Sequence, residues 1–407
     1  MPLLPPDSVV TIEKLVAGGD GLAHLPDGRV LFVRGSLPGE TVEVELSAEK
    51  RDFARARVVR LIEPSTRRVR PPCPAMAAGC GGCGWQHVAP EHQLELKVEI
   101  VRDALRRTAK LPEAEVRAGN TVPPWAYRTT VRLAAAPSTR VGLRRAHDHR
   151  VVPLDLCLVA HPTLTEVFAA MRLDAPAEVS LRVGLASGER SALVHPGRSR
   201  RPPRLTGLPA DVAIGPAATV HETVAGVSLQ ISAPSFFQVG PLAAELLIAT
   251  VAKACAGYSG GTMLDAYGGV GLFAAALPGA GERPVIVVES SPSACADARI
   301  NLRQRDATVV CTTFETWTPV PVDLVVADPA RAGLGRDGAD RLAATGADRI
   351  VLVSCDPVAM ARDGALLADR GYRHAVTEVL DLFPNTPHIE AVTAFQRIPG
   401  TRRNPDG

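Results

Sequence analysis

From residue 234 onward, short apolar runs alternate with stretches of helical spacing, and each run closes on a side chain that can do chemistry. The runs are Thr262-Met-Leu-Asp265, Val285-Ile-Val-Val288 before Glu289, Leu324-Val-Val-Ala327 before Asp328, and Ile350-Val-Leu-Val353 before Ser354 and Cys355. Runs without polar alternation are buried on both faces, and the helices between them supply the cover. The pattern predicts a mostly parallel sheet, entered by a helix over 241–255. Such sheets bind ligands at the carboxyl ends of their strands. Asp265, Glu289, Asp328 and Cys355 all fall there.

The first run leads into a glycine-rich turn, Leu264-Asp-Ala-Tyr-Gly-Gly-Val-Gly271. Gly268, Gly269 and Gly271 let backbone pass close to a ligand. Glu289, closing the second strand, can accept two hydrogen bonds from ribose hydroxyls. Asp328 and Pro329 add a carboxylate and a rigid loop. Together these favour a cofactor that carries a nucleoside. The spacing of about twenty residues between turn and acid does not separate NAD from S-adenosylmethionine.

Cys355 differs from Cys255, Cys295 and Cys311, which read as small core residues. It is flanked by Ser354 and Asp356, and Pro357 stops the strand before a helix start. A helix N-terminus and cationic neighbours lower a thiol pKa. A thiolate beside a methyl donor points to methylation of an unreactive carbon, such as carbon 5 of a pyrimidine. Attack on carbon 6 makes the ring enolate-like and activates carbon 5. A base must then remove the carbon-5 proton. Glu390, in Pro387-His-Ile-Glu390, is the first candidate and His388 the second.

The remainder of the 407 residues leaves room for two further domains. Residues 9 to 62 hold short strands joined by Gly- and Pro-containing turns, as in a small closed barrel of the oligonucleotide-binding kind. A helix over 90–108 and a β-rich region over 125–230 follow. Apolar residues make up 46% and aromatics only 4%, so Ala, Val and Leu must fill the core. Net charge is +2, and basic residues cluster at Arg67 to Arg70, Arg140 to Arg150 and Arg198 to Arg204. Arg128 and Arg132 share one face of a strand and, with Arg144 and Arg145, are candidate phosphate binders. For Trp85 and Phe236, core packing is favoured over stacking on a base. Cys73, Cys80 and Cys83 lie close together among glycines, and Cys157 is the candidate fourth thiol of a four-cysteine site for zinc or an iron–sulfur cluster. No apolar run reaches the ~18 residues of a membrane span, and no charged-then-apolar leader is present. The chain is expected to be cytoplasmic, monomeric and without a membrane partner.

Three further segments carry a resemblance: Ser235-Phe-Phe-Gln-Val239, Val353-Ser-Cys-Asp-Pro-Val-Ala-Met-Ala-Arg-Asp363 and Phe383-Pro-Asn-Thr-Pro-His-Ile-Glu390. With Asp328-Pro-Ala-Arg331, they resemble the motifs of the RNA uracil-C5 methyltransferases, makers of 5-methyluridine in ribosomal and transfer RNA. The resemblance covers nearly the whole chain. It implies an α+β multidomain fold: a TRAM-like barrel over 1–62, a central domain with a cysteine cluster over 63–233, and a Rossmann-like methyltransferase domain over 234–407. It implies Cys355 as nucleophile and Glu390 as base. S-adenosylmethionine would be held by Gln238, Tyr267, Gly269, Glu289 and Asp328. Cys73, Cys80, Cys83 and Cys157 would hold a [4Fe-4S] cluster, with zinc the alternative. The implied substrate is RNA, with 23S ribosomal RNA preferred over tRNA. The chain departs from the family pattern at Gly240, Leu272 and Asp356, where Asn is usual, and at Ala330, where Pro is usual. Six residues separate Cys73 from Cys80, where the family has five.

Overall fold

The computed structural model describes residues 8–400, apart from 136–139, 147, 149, 197–202, 259 and 280. Most of the basic cluster Arg198 to Arg204 therefore lies outside the described residues.

The chain begins with β1 (Ser8–Thr11), β2 (Lys14–Leu15), β3 (Gly21–His24), β4 (Val30–Arg34), β5 (Thr41–Glu49) and β6 (Phe53–Glu63). They form one sheet in the order β1-β5-β6-β4-β3-β2. β1 and β2 are halves of a single extended run: the first half pairs with β5 and the second with β3. Between them the Ile12 N–H donates to the Glu40 carbonyl and the Glu13 N–H to the Leu22 carbonyl. That shared run closes the sheet into a barrel. Three register shifts between β5 and β6 bend the long strands around it. Leu31, Val33, Val42, Val44, Ala54 and Ala56 fill the lumen.

Helix α1 (Pro90–Ala104) and strand β7 (Val116–Thr121) follow. A six-stranded sheet comes next, in the order β10-β9-β8-β11-β12-β13. Its strands are β8 (Thr130–Ala135), β9 (Val141–Arg144), β10 (Val151–Pro153), β11 (Ala177–Val183), β12 (Arg190–Pro196) and β13 (Val212–Ile214). Leu133, Phe168, Met171, Val179 and Leu181 pack beneath it. The hairpin β14 (Thr219–Val224) and β15 (Val227–Ser232) leads onward.

The last part contains α2 (Pro241–Ala254), β16 (Met263–Ala266), α3 (Leu272–Ala276), β17 (Val285–Glu289), α4 (Pro292–Asn301) and β18 (Ala307–Cys311). It continues with β19 (Leu324–Ala327), α5 (Gly335–Ala344), β20 (Arg349–Ser354), α6 (Pro357–Ala368), β21 (Tyr372–Asp381) and β22 (Glu390–Arg397). The eight-stranded sheet runs β18-β17-β16-β19-β20-β22-β21-β7. β18 to β20 are mutually parallel, and β22 runs antiparallel between β20 and β21. Strand order grows one way from β16 and the other way from β19, so the crevice between them opens at the carboxyl ends. That is the position where such sheets take ligands.

The barrel's last strand ends at Glu63, beside the expected boundary at 62/63, but segments on the N-terminal side of 233/234 pack with the C-terminal sheet. β7 pairs in parallel with β21 and completes the C-terminal sheet. α1 packs on that sheet's face, with Leu96, Val98, Ile100 and Val101 against Met360, Val379 and Ala391. The hairpin residues Val220, Leu229 and Ile231 join the core beneath β16 and β17. The physical reason is that α1 carries an apolar face that needs the C-terminal sheet to cover it, with Leu15 and Leu37 of the barrel adding to the same core, while β7 takes the free edge that β21 offers.

Candidate active site

One antiparallel register brings Cys355 and Glu390 together. β20 and β22 pair with Ser354 opposite Ala391, so one step further sets Cys355 opposite Glu390. On the other side of β20, Ala327 pairs with Leu352, which brings Asp328 level with Val353. A cavity of about 550 Å³ opens over these strand ends. Cys355, Glu390, Gln238, Tyr267, Gly269, Glu289 and Asp328 all line it. Asp265 does not: it lies inside β16 rather than at its end, fully buried. Its Oδ2 accepts the Ala274 N–H at 3.0 Å, while Oδ1 has no partner.

The glycine-rich side of the cavity is built around Glu289. The Gly269 N–H donates to its Oε2 at 2.9 Å, and the Ser291 N–H to its Oε1 at 2.6 Å. Oε1 also accepts the Ser290 hydroxyl at 3.4 Å, a long contact that a ribose hydroxyl could displace, and Oε2 has a lone pair to spare for another. A Cβ on Gly269 would meet nothing within 4 Å, and Gly269 lies on the cavity wall. At Gly268, by contrast, a Cβ would fall 2.6 Å from Val287 Cγ1, so the turn is pressed against β17. Tyr267 holds a left-handed backbone with φ 61°, the kind of strain that collects at ligand sites. Its ring packs on Phe314 and its hydroxyl donates to Glu315 Oε1 at 3.1 Å. The open glycine wall, the pre-oriented carboxylate and the buried Gln238 amide together fit a nucleoside-bearing methyl donor.

The other side gathers Asp328, Cys355 and Glu390. Burial pushes the Glu390 carboxyl well above its ordinary range, and Asp328 adds to the rise. Burial likewise raises Asp328 and Asp265 to about 7 each. Cys355 is raised too, first by burial and then by Glu390, with Arg331 opposing. The expectation of a thiol depressed by its helix start is therefore corrected. Asp356, not Cys355, caps α6, accepting the Val358 and Ala359 N–H groups at 3.0 and 2.9 Å. Arg331 Nη2 donates to His388 Nδ1 at 2.9 Å. Burial, with Arg331 next, lowers His388 to about 4, so it is a neutral acceptor. The sequence reading gave Arg331 no role. An arginine two residues after the Asp328-Pro329 pair was the available signal.

Phe236 is 71% exposed and lines the cavity, contrary to the packing expected of it. Trp85 is buried in the core as expected. Arg128 lines the cavity and lies over the Tyr127 and Phe383 rings at 5.6 and 5.9 Å. Arg132 and Arg144 are ion-paired with Glu178 at 2.7 and 2.9 Å, and Arg145 donates to the Ala78 carbonyl.

Cys73, Cys80, Cys83 and Cys157 line one narrow cavity with Met76, Leu143 and Leu154. Among the described residues, no group of three or more His, Cys, Asp or Glu is arranged to hold a single metal ion. In a polynuclear cluster each iron binds a different thiolate, so four thiols spread around a common cavity remain compatible with one. The loop after Cys83 supports the segment that leads to Glu390: the Trp85 N–H donates to the Asn385 carbonyl at 2.9 Å. No helix among the described residues is long and apolar enough to cross a membrane.

Residues 9–59 match the TRAM domain model. An uncharacterized RNA methyltransferase of Streptomyces coelicolor is 35% identical, covering 95% of this chain and 92% of the relative. The 23S rRNA (uracil(1939)-C(5))-methyltransferase of Alkalilimnicola ehrlichii is 32% identical, over 95% of this chain and 96% of its own. The tRNA (uracil-54, C5)-methyltransferase of Pyrococcus abyssi, solved with S-adenosyl-L-homocysteine, superposes with a TM-score of 0.70 at 25% identity. That match covers 95% of this chain and all of the other. With its barrel, its doubly covered sheet and a strand-end cavity of this composition, the chain belongs to the RNA uracil-C5 methyltransferase family and is an S-adenosylmethionine-dependent RNA methyltransferase.

Proposed function

We propose that this enzyme forms 5-methyluridine in 23S ribosomal RNA through a covalent adduct on Cys355. The observation that carries the mechanism is the β20–β22 register that sets Cys355 beside Glu390 at the cavity floor. Bound against Gly269 and Glu289, S-adenosylmethionine would supply a methyl group on a sulfonium. Gln238, Tyr267 and Asp328 complete that subsite.

Cys355 Sγ adds to carbon 6 of a uracil, and the displaced π electrons make carbon 5 nucleophilic. Arg331 favours the thiolate against the burial that opposes it. After carbon 5 is methylated, Glu390 takes its proton, and the electrons return to expel Cys355 and restore the ring. Glu390 must be ionised for this step, and Arg331 is a cation on the same cavity wall. The target base has to leave its stack to reach the floor. Phe236 and Arg128 at the cavity wall offer it an aromatic face and a cation.

We place Cys73, Cys80, Cys83 and Cys157 as ligands of a [4Fe-4S] cluster. Bound there, the cluster would cross-link the cysteine loop to the Cys157 segment, and methyl transfer draws no electrons from it. The preference for ribosomal RNA rests on similarity to the 23S rRNA enzyme. We assign the enzyme to the cytoplasm, acting as a monomer.

The test is radiolabelled methyl transfer to unmethylated ribosomal RNA and tRNA, with 5-fluorouridine RNA in parallel. Label in ribosomal RNA and a covalent adduct through Cys355 are expected. Label in tRNA alone would overturn the substrate, and turnover without an adduct would overturn the mechanism.

A further inference from the structure

The segment carrying Phe236 and Gln238 is irregular, yet it is held at both ends. At its start the Ser232–Ser235 turn is gripped from two sides. Asp297, fully buried on α4, accepts four hydrogen bonds. Its Oδ1 takes the Ser232 hydroxyl at 2.7 Å and the Gln230 amide at 3.2 Å. Its Oδ2 takes the Ser235 hydroxyl at 2.6 Å and the Ser232 N–H at 2.9 Å. From the other side Arg182, on β11 of the central sheet, takes the carbonyls: Nη1 donates to Ser232 at 2.9 Å and Nη2 to Ser235 at 2.7 Å. At the far end the Thr129 N–H donates to the Val239 carbonyl at 2.7 Å. Only the residues between these anchors face the cavity.

α4 begins just after Glu289, and Ser291, the residue that precedes the helix, donates its N–H to that carboxylate. One rigid helix therefore bears on both cofactor groups, Glu289 at its start and Gln238 through Asp297. We propose that Asp297 and Arg182 are positioning residues that fix Gln238 relative to Glu289 and so set cofactor affinity. The proposal rests on the cofactor reading of this cavity.

The experiment measures S-adenosylhomocysteine binding by calorimetry, with thermal unfolding run on every variant. Asp297→Asn and Gln238→Ala are each expected to weaken binding about tenfold, the scale of one charge-assisted hydrogen bond. The double variant should lose no more than either single one, because both act through the same amide. Ser235→Ala removes a single bond with little risk to folding, and about threefold weakening is expected. Losses that multiply in the double variant would overturn the proposal. So would wild-type binding by Ser235→Ala, or by Gln238→Ala. Failure of the wild-type protein to bind S-adenosylhomocysteine is a separate result: it removes the cofactor reading itself, and this proposal with it.

Discussion

Cys355 and Glu390 are held in surroundings that favour their protonated forms, yet the proposed steps need both ionised. Methyl transfer should therefore rise with pH from neutral into the alkaline range. Arg331→Ala should move that rising limb to higher pH, since Arg331 is the cation that lowers the Cys355 thiol; a pH–rate profile left unshifted would discard its role. Glu390→Gln should slow turnover about 10²–10⁴-fold and let the RNA–protein adduct accumulate on denaturing gels. Asp265 makes a stability prediction. Its folded pKa of about 7 lies above the ordinary value of 3.8, so the native state binds the extra proton between those values. Stability from this group is complete below about 4 and falls by about 1.4 kcal/mol per pH unit as pH rises towards 7. Asp265→Asn should flatten that slope in denaturant titrations at pH 5, 6 and 7.

Among the elements, α6 explains why Asp356 can stand where Asn is usual. Both side chains accept the N2 and N3 amides equally well, so Asp356→Asn should leave the melting temperature almost unchanged. Asp356→Ala should cost about 0.5–2 kcal/mol. Gly268→Ala should be worse than Gly269→Ala, because only the former drives a Cβ into Val287. The apolar runs and their terminal acids were legible because strand burial writes itself into composition. β7 was not. Val116-Arg-Ala-Gly-Asn-Thr121 has neither an apolar run nor a clean alternation, and it is a strand because β21 offers it an edge. The Asp265 placement was off by one position for a similar reason: strand ends are set by tertiary pairing, and Ala266 still pairs with Ala327. Asp297 and Arg182 were invisible because their partners lie about 50 or more residues away.

At the scale of the molecule, the cysteine loop, the segment leading to Glu390 and α1 form one support. Lys97 on α1 and Asp381 at the end of β21 make a fully buried ion pair at 2.6 Å, and Lys97 also donates to the Phe383 carbonyl. Lys97→Ala should cost about 3–5 kcal/mol by stranding Asp381 without its partner, measured by chemical unfolding. Cys73→Ser or Cys157→Ser should abolish the visible absorption of an iron–sulfur centre. It should also depress kcat more than cofactor affinity, since the Trp85–Asn385 bond supports the wall that bears His388 and Glu390 and not the Glu289 side. Zinc without visible absorption would replace the cluster assignment.

The pairing of β7 with β21 has a consequence for biosynthesis. Roughly 250 residues separate the two strands, and at about 5–20 residues per second the ribosome needs roughly 10–50 s to cross that gap. Throughout that interval the nascent chain carries α1 with the part of its apolar face that Met360, Val379 and Ala391 will cover still bare, and β7 with no neighbour, while the barrel ahead of them can already close. Chaperone occupancy on the emerging polypeptide should peak in that interval, and a fragment starting at residue 234 should aggregate rather than yield an independent catalytic unit.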